Sequence, residues 1–152
     1  LFVCMGNICR SPLAEGIARA RATRLPPGFT FDSAGIESYH VGDPPDPRAR
    51  ALARERGTPI DDLRARQVSA QDFARFDLIL ACDRRNLRAL RAMRSGDAGA
   101  ELDLLLDYGT DSRDAEVPDP YYGDARDFVR VYDMLDAAMP ELLARASTLR
   151  RD

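Results

Sequence analysis

The sequence predicts an α/β fold in which an open, four-stranded parallel sheet carries helices on both faces. Short apolar segments and helical patterns alternate along the chain in the order β-α-β-α-β-α-β-α, which is typical of parallel sheets with helical crossovers. The segment 76–82 is a short, mostly apolar run, as expected of a strand buried on both faces. Because such crossovers are right-handed, helices cover both faces, and ligands bind beyond the carboxyl ends of the strands.

The composition is that of one globular domain spanning residues 1–152, without a repeat or a linker. No apolar run approaches the roughly 20 residues that span a bilayer, so we expect no membrane segment, and no signal peptide. The net charge of −3, with arginines interleaved among acids, argues against nucleic-acid binding. Three cysteines, an odd number, argue against a secreted disulfide framework and favour a reducing, cytoplasmic setting.

Capping and turn residues delimit the elements of the first half. The predicted elements are a strand at 1–3, a helix from Pro12 to about Arg24, a strand at 29–31, a turn at 32–35 and a helix from Pro47 to Gly57. Ser11 is a good N-cap for the first helix and Pro12 a good first residue. Asp46 followed by Pro47 predicts the start of the second helix in the same way.

The second half contains the remaining strands and the longest helix. The predicted elements are one or two helical turns at 70–75, a strand at 76–82, a helix at 84–94, a strand at 102–106 and a helix from Asp124 to about Arg150. Pro140 should kink or divide the last helix. Asp83 directly follows a strand, as Cys4 does, so both should lie at the same edge of the sheet.

The loop from Cys4 to Arg10 is the candidate reactive site. Gly6 and Asn7 tolerate left-handed backbone conformations, which would turn successive N–H groups inward at a helix N-terminus and form an anion-binding nest. Arg10 can donate a fork of hydrogen bonds to a phosphate-like oxyanion. The same donors would stabilise a thiolate at Cys4, although Cys4 could also simply be a small buried residue. The further residues expected to line the phosphate site are Met5, Ile8, Cys9 and Ser11.

Three residues around Cys4 have two interpretations each. Ser11 can donate its hydroxyl to the thiolate, or it can serve only as a cap. Cys9 can reach Cys4 and form a protective, reversible disulfide, or it can pack under the loop. Cys82 is interpreted as a packing residue of a strand.

The segment 117–124 supplies a candidate proton donor. A thiolate that displaces an oxygen from phosphorus needs an acid for the leaving group, and Asp119 stands between two prolines that stiffen the backbone. Tyr121 and Tyr122 would form apolar walls for an aromatic ring. The alternative is an exposed proline-rich loop that ends in an N-cap at Asp124.

Read together, these motifs resemble a known family. Cys4-x5-Arg10-Ser11, in the form Gly-Asn-x-Cys-Arg-Ser-Pro, and Asp119-Pro-Tyr-Tyr-Gly123 are similar to the low-molecular-weight protein tyrosine phosphatases. The likeness continues at Ser33-Ala34-Gly35, Tyr39-His40-Val41-Gly42, Asp46-Pro47-Arg48-Ala49, Arg64-Ala65-Arg66-Gln67, Asp72-Phe73, Phe76-Asp77-Leu78-Ile79-Leu80, Asp83 and Asn86-Leu87. The Cys-x5-Arg signature occurs in other phosphatase families too, but the two end motifs together are highly specific.

The resemblance implies a flavodoxin-like fold of the phosphotyrosine phosphatase I type and a mechanism without metal or cofactor. Cys4 would attack phosphorus, the loop N–H groups and Arg10 would hold the oxygens, and Asp119 would protonate the phenolate. A phosphocysteine intermediate would then be hydrolysed with Asp119 as base. The residues that match supporting or substrate-binding positions of the family are Asn7, Ser11, Ser33, Asp83 and Tyr39.

The chain also departs from that family. In many relatives a histidine that supports the loop asparagine stands where this chain has Leu63. Ile8 is bulky and apolar, as in tyrosine-directed relatives, whereas phosphoarginine-directed relatives tend to carry threonine there. The alternatives are a related arsenate reductase, which would need a later cysteine pair where only Cys82 is present, and a non-catalytic phosphotyrosine reader, which would not need Asp119.

The expected partners follow from the resemblance. Phosphotyrosine proteins would be substrates, and inorganic phosphate or other oxyanions would be product or inhibitors. We expect no nucleic-acid or membrane partner and a monomer or a weak dimer.

Overall fold

A parallel sheet forms the centre of the fold in the computed structural model, which describes residues 1–97, 99–109 and 114–149. The strands are β1 (Phe2–Cys4), β2 (Ser33–Gly35), β3 (Leu78–Ala81) and β4 (Glu101–Leu104). The α-helices are α1 (Arg10–Arg21), α2 (Pro47–Glu55), α3 (Asp72–Arg75), α4 (Arg84–Met93) and α5 (Ala125–Thr148), with 3-10 turns at Ala22–Arg24 and Leu105–Asp107. The strand order is β2-β1-β3-β4, with every pair parallel, which confirms the predicted fold class.

Apolar side chains alternate between two cores, one on each face of the sheet. Along β3, Leu78 and Leu80 belong to the core beneath α1, α2 and α5, whereas Ile79 and Ala81 belong to the core beneath α3 and α4. This alternation follows from the two-residue period of a strand. Because both faces of the sheet are apolar, helices cover both of them. The central strands β1 and β3 are therefore buried and can hold a site rigidly at their carboxyl ends.

The second strand is not where the apolar pattern placed it. β2 is Ser33–Gly35, in the segment predicted as a turn, and residues 29–31 are not a strand. Phe29 and Phe31 instead stack on each other, with ring centroids 6.3 Å apart. Small residues are required in β2 because it runs beside the reactive loop: a Cβ on Gly35 would lie 2.9 Å from the Met5 carbonyl oxygen.

Helix boundaries agree with the prediction except at α1 and within α5. α1 begins at Arg10 rather than Pro12, and Cys9, not Ser11, is its N-cap residue; the reason is that the Ser11 side chain is turned into the loop. α5 runs unbroken through Pro140, so the predicted division is wrong. Pro140 is exposed, so water can reach the carbonyl that loses its partner. The predicted end near Arg150 lies outside the described residues.

The remaining helix starts are as predicted. The side chains of Asp46, Asp83 and Asp124 each accept a hydrogen bond from a backbone N–H of the helix that follows, α2, α4 and α5. Within the described residues, no helix combines the length and apolar character of a membrane span.

Candidate active site

The loop 4–10, called here the phosphate loop, curls around the sulfur of Cys4. Cys4 ends β1, and Asn7 has a left-handed backbone with φ of 59°, as its residue type predicts. This turn directs the Asn7 N–H to Cys4 Sγ at 3.3 Å. Gly6 does not adopt a positive φ; a Cβ added there would lie 3.0 Å from the His40 ring, so a larger residue would have to displace that side chain.

The Asn7 side chain fixes this conformation through three hydrogen bonds. Its Nδ2 donates to Ser11 Oγ at 2.8 Å and to Ser33 Oγ at 2.9 Å. Its Oδ1 accepts from the backbone N–H of Arg66 at 3.0 Å. The Asn7 carbonyl oxygen is therefore held by a backbone group, and Leu63, where a supporting histidine was considered, packs against the core.

Ser11 makes the second contact with the reactive sulfur. Its Oγ lies 3.0 Å from Cys4 Sγ, and Ser11 is fully buried. A thiolate can only accept a hydrogen bond, so in the ionised state the hydroxyl donates to the sulfur. Together with the Asn7 N–H, two donors then face the Cys4 thiolate.

Arg10 is buried and held from one side. Its Nη1 donates to Asp83 Oδ2 at 2.7 Å and to the Val117 carbonyl at 3.0 Å. Asp83 uses its other oxygen to cap α4 by accepting from the Asn86 N–H. Among the described residues, Nε and Nη2 of Arg10 make no hydrogen bond, so both are available to an oxyanion.

Asp119 lies over this arrangement on an exposed loop, residues 118–123, called here the acid loop. Its Oδ2 is 3.9 Å from Arg10 Nη2, and its Oδ1 accepts from the Tyr121 N–H at 3.1 Å. A carboxyl group in this position is close enough to the oxyanion site to exchange a proton with a bound group.

These residues surround one open cavity of about 440 Å³. It is lined by Cys4, Met5, Gly6, Ile8, Cys9, Arg10, Tyr39, His40, Arg85, Asp119, Tyr121 and Tyr122. Every residue predicted to contact substrate is in this lining except Asn7 and Ser11. These two lie behind the loop with Ser33, and Asp83 lies behind Arg10.

Three tyrosines form the mouth of the cavity. Tyr39 and Tyr122 are 72% and 95% exposed, and Tyr121 meets Tyr122 edge-on with ring centroids 4.9 Å apart. Exposed rings around a polar base can hold an aromatic group whose phosphate reaches the loop.

Two further residues line the cavity: Arg85, which was not predicted as a site residue, and His40, which was expected only as the neighbour of Tyr39. Arg85 lies in the first turn of α4, two residues after Asp83. That helix starts at the same edge of the sheet as the phosphate loop. The position of Arg85 in its first turn, close to Asp83, could therefore have identified it from the sequence. His40 follows Tyr39 directly and packs against Gly6.

The other two cysteines are less reactive than a site thiol requires. All three cysteines are free and buried. Burial, and then the Asp46 carboxylate, raise the pKa of the Cys9 thiol, and burial raises the pKa of Cys82. Both therefore stay protonated near neutral pH. In the described part of the chain, no group of three or more His, Cys, Asp or Glu side chains could hold a metal ion.

Comparisons with known proteins agree with this geometry. A sequence model of the family described as "Low molecular weight phosphotyrosine protein phosphatase" matches residues 1–152. A putative low molecular weight protein-tyrosine-phosphatase of Synechocystis is 46% identical over 146 residues, covering 94% of this chain and 92% of that protein.

Solved structures show the same fold. The crystal structure of YfkJ from Bacillus subtilis has a TM-score of 0.88 and 41% identity, covering 99% of this chain and 94% of that one. A protein tyrosine phosphatase from Entamoeba histolytica has a TM-score of 0.89 and 37% identity, covering 97% and 95%. The chain therefore belongs to the low molecular weight phosphotyrosine protein phosphatase family.

Proposed function

We propose that the protein hydrolyses phosphotyrosine in two steps through a phosphocysteine intermediate. The observation that carries this proposal is the position of Cys4 Sγ, which has the Asn7 N–H at 3.3 Å and Ser11 Oγ at 3.0 Å, in a loop that ends at the buried Arg10. In the first step the Cys4 thiolate forms a bond to phosphorus while the bond to the phenolic oxygen breaks. Asp119 gives its proton to that oxygen.

In the second step water takes the place of the leaving group. Asp119, now a carboxylate, accepts a proton from the water, whose oxygen attacks phosphorus and releases the Cys4 thiolate and phosphate. Arg10 and the loop N–H groups hold the phosphoryl oxygens in both steps. Because these donors are fixed before substrate binds, the catalytic gain comes from positioning and electrostatic stabilisation.

Phosphotyrosine fits the cavity better than the other substrates considered. Tyr39, Tyr121 and Tyr122 offer walls for a ring, and Ile8 adds an apolar side chain to the cavity lining. Arsenate reduction would need an accessible later cysteine, whereas Cys82 is fully buried and its backbone groups pair with Val3 and Val117.

We also propose a reducing, cytoplasmic setting, with phosphotyrosine proteins as substrates and phosphate or related oxyanions as product and inhibitors. The three free cysteines support this setting. A thiolate nucleophile would be lost to oxidation in an oxidising compartment.

Replacing Cys4 by serine tests the nucleophile. Cys4→Ser should abolish turnover of p-nitrophenyl phosphate while still binding inorganic phosphate, detected as a phosphate-dependent rise in Tm. Cys82→Ala, which changes a buried cysteine outside the cavity lining, is the matched control and should retain turnover. Retained turnover in Cys4→Ser would remove Cys4 as the nucleophile.

A further inference from the structure

The start of α2 lies between the phosphate loop and the acid loop and contacts both. On one side, the Asp46 N–H donates to the carbonyl of Ile8, in the phosphate loop, at 2.8 Å. On the other side, Arg48 reaches the acid loop.

The Arg48 guanidinium joins three parts of the molecule. It donates to the Asp46 carboxylate from Nε and Nη2, each at 3.0 Å. It also donates to the acid-loop carbonyls of Tyr121, at 2.9 Å from Nη2, and Gly123, at 3.1 Å from Nη1. Its Cζ lies 4.5 Å from the ring centroid of Phe128, in the first turns of α5. A planar fork of donors suits this set of acceptors, and a single ammonium group does not.

The charge state of the pair is fixed by the same contacts. Burial favours protonation of Asp46, but hydrogen bonds from the side chain and backbone N–H of Arg48 outweigh it and lower the pKa of Asp46. Asp46 is therefore a carboxylate near neutral pH, and the Arg48 guanidinium is held against it.

Few hydrogen bonds tie the acid loop to the rest of the molecule, although Pro120 within it is buried. Before it, Val117 is anchored, since its N–H donates to the Cys82 carbonyl and its own carbonyl accepts from Arg10. Within residues 118–123 and among the described residues, the hydrogen bonds to groups outside the loop are those from Arg48. Among the described residues, the polar contacts of the Asp119 side chain are the bond from the Tyr121 N–H and a 3.9 Å approach to Arg10.

We propose that Arg48 is a positioning residue that holds the acid loop over the phosphate loop, so that the Asp119 carboxyl group stands where the leaving oxygen is protonated. The inference rests on the proposed role of Asp119 as general acid and base. Arg48 does not touch the reacting atoms. Its loss should therefore resemble a partial loss of Asp119, not a loss of phosphate binding.

The test compares two substrates that differ in their need for an acid. Phenyl phosphate has a poor leaving group and p-nitrophenyl phosphate a good one. Arg48→Met should lower kcat/KM on phenyl phosphate about tenfold more than on p-nitrophenyl phosphate, a part of the effect of a general acid. The comparison uses kcat/KM because it reports the step in which the leaving group departs, whereas hydrolysis of the intermediate is common to both substrates. The inhibition constant of inorganic phosphate should stay within about twofold, because Arg10 and the loop are unchanged. Arg48→Lys, which keeps the charge without the fork, should show the same selective loss and replaces Arg48→Met if that variant does not fold.

The matched control is Arg56→Met. Like Arg48, Arg56 lies near α2, pairs with a carboxylate and packs on an aromatic ring of α5. Its Nη1 is 3.1 Å from Asp133, and its Cζ is 5.1 Å from the ring centroid of Tyr132. It lies outside the cavity lining, so Arg56→Met should leave the ratio of the two substrates unchanged. An equal change in that ratio would assign the effect to general packing and overturn the inference.

Asp119→Ala separates the two proposals. If Asp119→Ala lowers kcat/KM equally for both substrates, the general-acid role itself fails, and the inference fails with it. If Asp119→Ala is selective but Arg48→Met lowers kcat/KM equally for both substrates or weakens phosphate binding, only the positioning role fails. In the double variant Arg48→Met/Asp119→Ala the two selective losses should not add, since they act through one carboxyl group; additive losses would place the action of Arg48 elsewhere.

Discussion

Asn7 shows how one residue determines the shape of the site. A left-handed backbone in a residue other than glycine is unfavourable by itself, and here the side chain is hydrogen-bonded by three partners from three different segments. Asparagine can do this because its amide has both donors and an acceptor. The strained turn brings its own N–H to Cys4 Sγ, so the support of the loop and the stabilisation of the sulfur have the same origin.

Glu15 lies on the buried face of α1, and its carboxyl group should make stability depend on pH. Burial raises the pKa of Glu15 to about 7, although the nearby Arg19 favours the charged form. Glu15 Oε2 lies 2.9 Å from Arg19 Nη2, but among the described residues it accepts no well-aligned hydrogen bond. An unfolded glutamate titrates near ~4.3, so the folded state binds the proton more tightly. The stabilisation by protonated Glu15 is complete below the pKa of the unfolded state and is lost as the pH rises through the pKa of the folded state.

Urea unfolding across this pH range measures the effect. The parent protein should lose unfolding free energy on the order of 2–4 kcal/mol as the pH rises from about 5 to about 8. Glu15→Gln, which cannot titrate, should not show this loss. Glu55→Gln, at an exposed position of α2, is the control and should keep the parent slope. A Glu15→Gln variant with the parent slope would show that Glu15 is already charged at pH 5.

At the scale of elements, α4 is coupled to the site through its N-cap. Asp83 uses one oxygen for the Asn86 N–H and the other for Arg10. In asparagine an NH2 group, which is a donor, takes the place of one of these two oxygens and cannot accept a hydrogen bond there. Asp83→Asn should lose less stability than Asp83→Ala, since asparagine is a good N-cap, but should lower kcat/KM about tenfold or more because the buried Arg10 loses its carboxylate.

Denaturant unfolding and steady-state kinetics on the same protein separate these two effects. Asp83→Ala, which removes both oxygens, should lose stability as well as activity. If Asp83→Asn retained the parent kcat/KM, the contact between Asp83 and Arg10 would not be needed for substrate binding.

The elements also show where sequence patterns succeed and fail. The helices starting at Pro47, Arg84 and Ala125 could be predicted because an aspartate cap precedes each of them. β2 could not, because Ser33–Gly35 is selected by the space beside the phosphate loop and not by apolar character. The start of α1 was misplaced because Ser11 has the residue type of a cap but is turned toward Cys4.

At the scale of the whole molecule, a chain with a net charge of −3 carries an arginine in the wall of its cavity. Among the described residues Arg85 makes no ion pair, unlike its neighbour Arg84, which pairs with Glu116. Arg85 should therefore attract acidic residues that flank the phosphotyrosine of a substrate.

Peptide kinetics test this preference. We compare kcat/KM for two phosphotyrosine peptides, one with flanking glutamates and one with flanking glutamines. The ratio of the first to the second should fall about three- to tenfold in Arg85→Glu, and the fall should be smaller at high salt. Arg88→Glu makes the same charge change on α4 outside the cavity lining and is the control. An equal fall in both variants would indicate a general charge effect without a role of Arg85 in selection.

Both halves of the site were visible in the sequence because each contains its own chemical signal, a cysteine and arginine in one loop and an aspartate between prolines in the other. The contacts that join the two halves could not be predicted from the sequence. The hydrogen bond from the Arg66 N–H to Asn7 and the contacts of Arg48 with the acid loop join residues far apart in the chain. Such contacts depend on how α2 and the segment before Val68 pack, and no local pattern encodes them.

The central claim, attack of the Cys4 thiolate on phosphorus, is tested most directly by trapping the phosphoenzyme. In Asp119→Ala, p-nitrophenyl phosphate should still react at Cys4, since its leaving group needs little protonation, while hydrolysis of the intermediate slows for lack of a base. Rapid acid quenching followed by mass spectrometry should then find one phosphoryl group on the peptide that contains Cys4, together with a burst of p-nitrophenol equal to the enzyme. A burst without that adduct, or an adduct on another residue, would contradict the account.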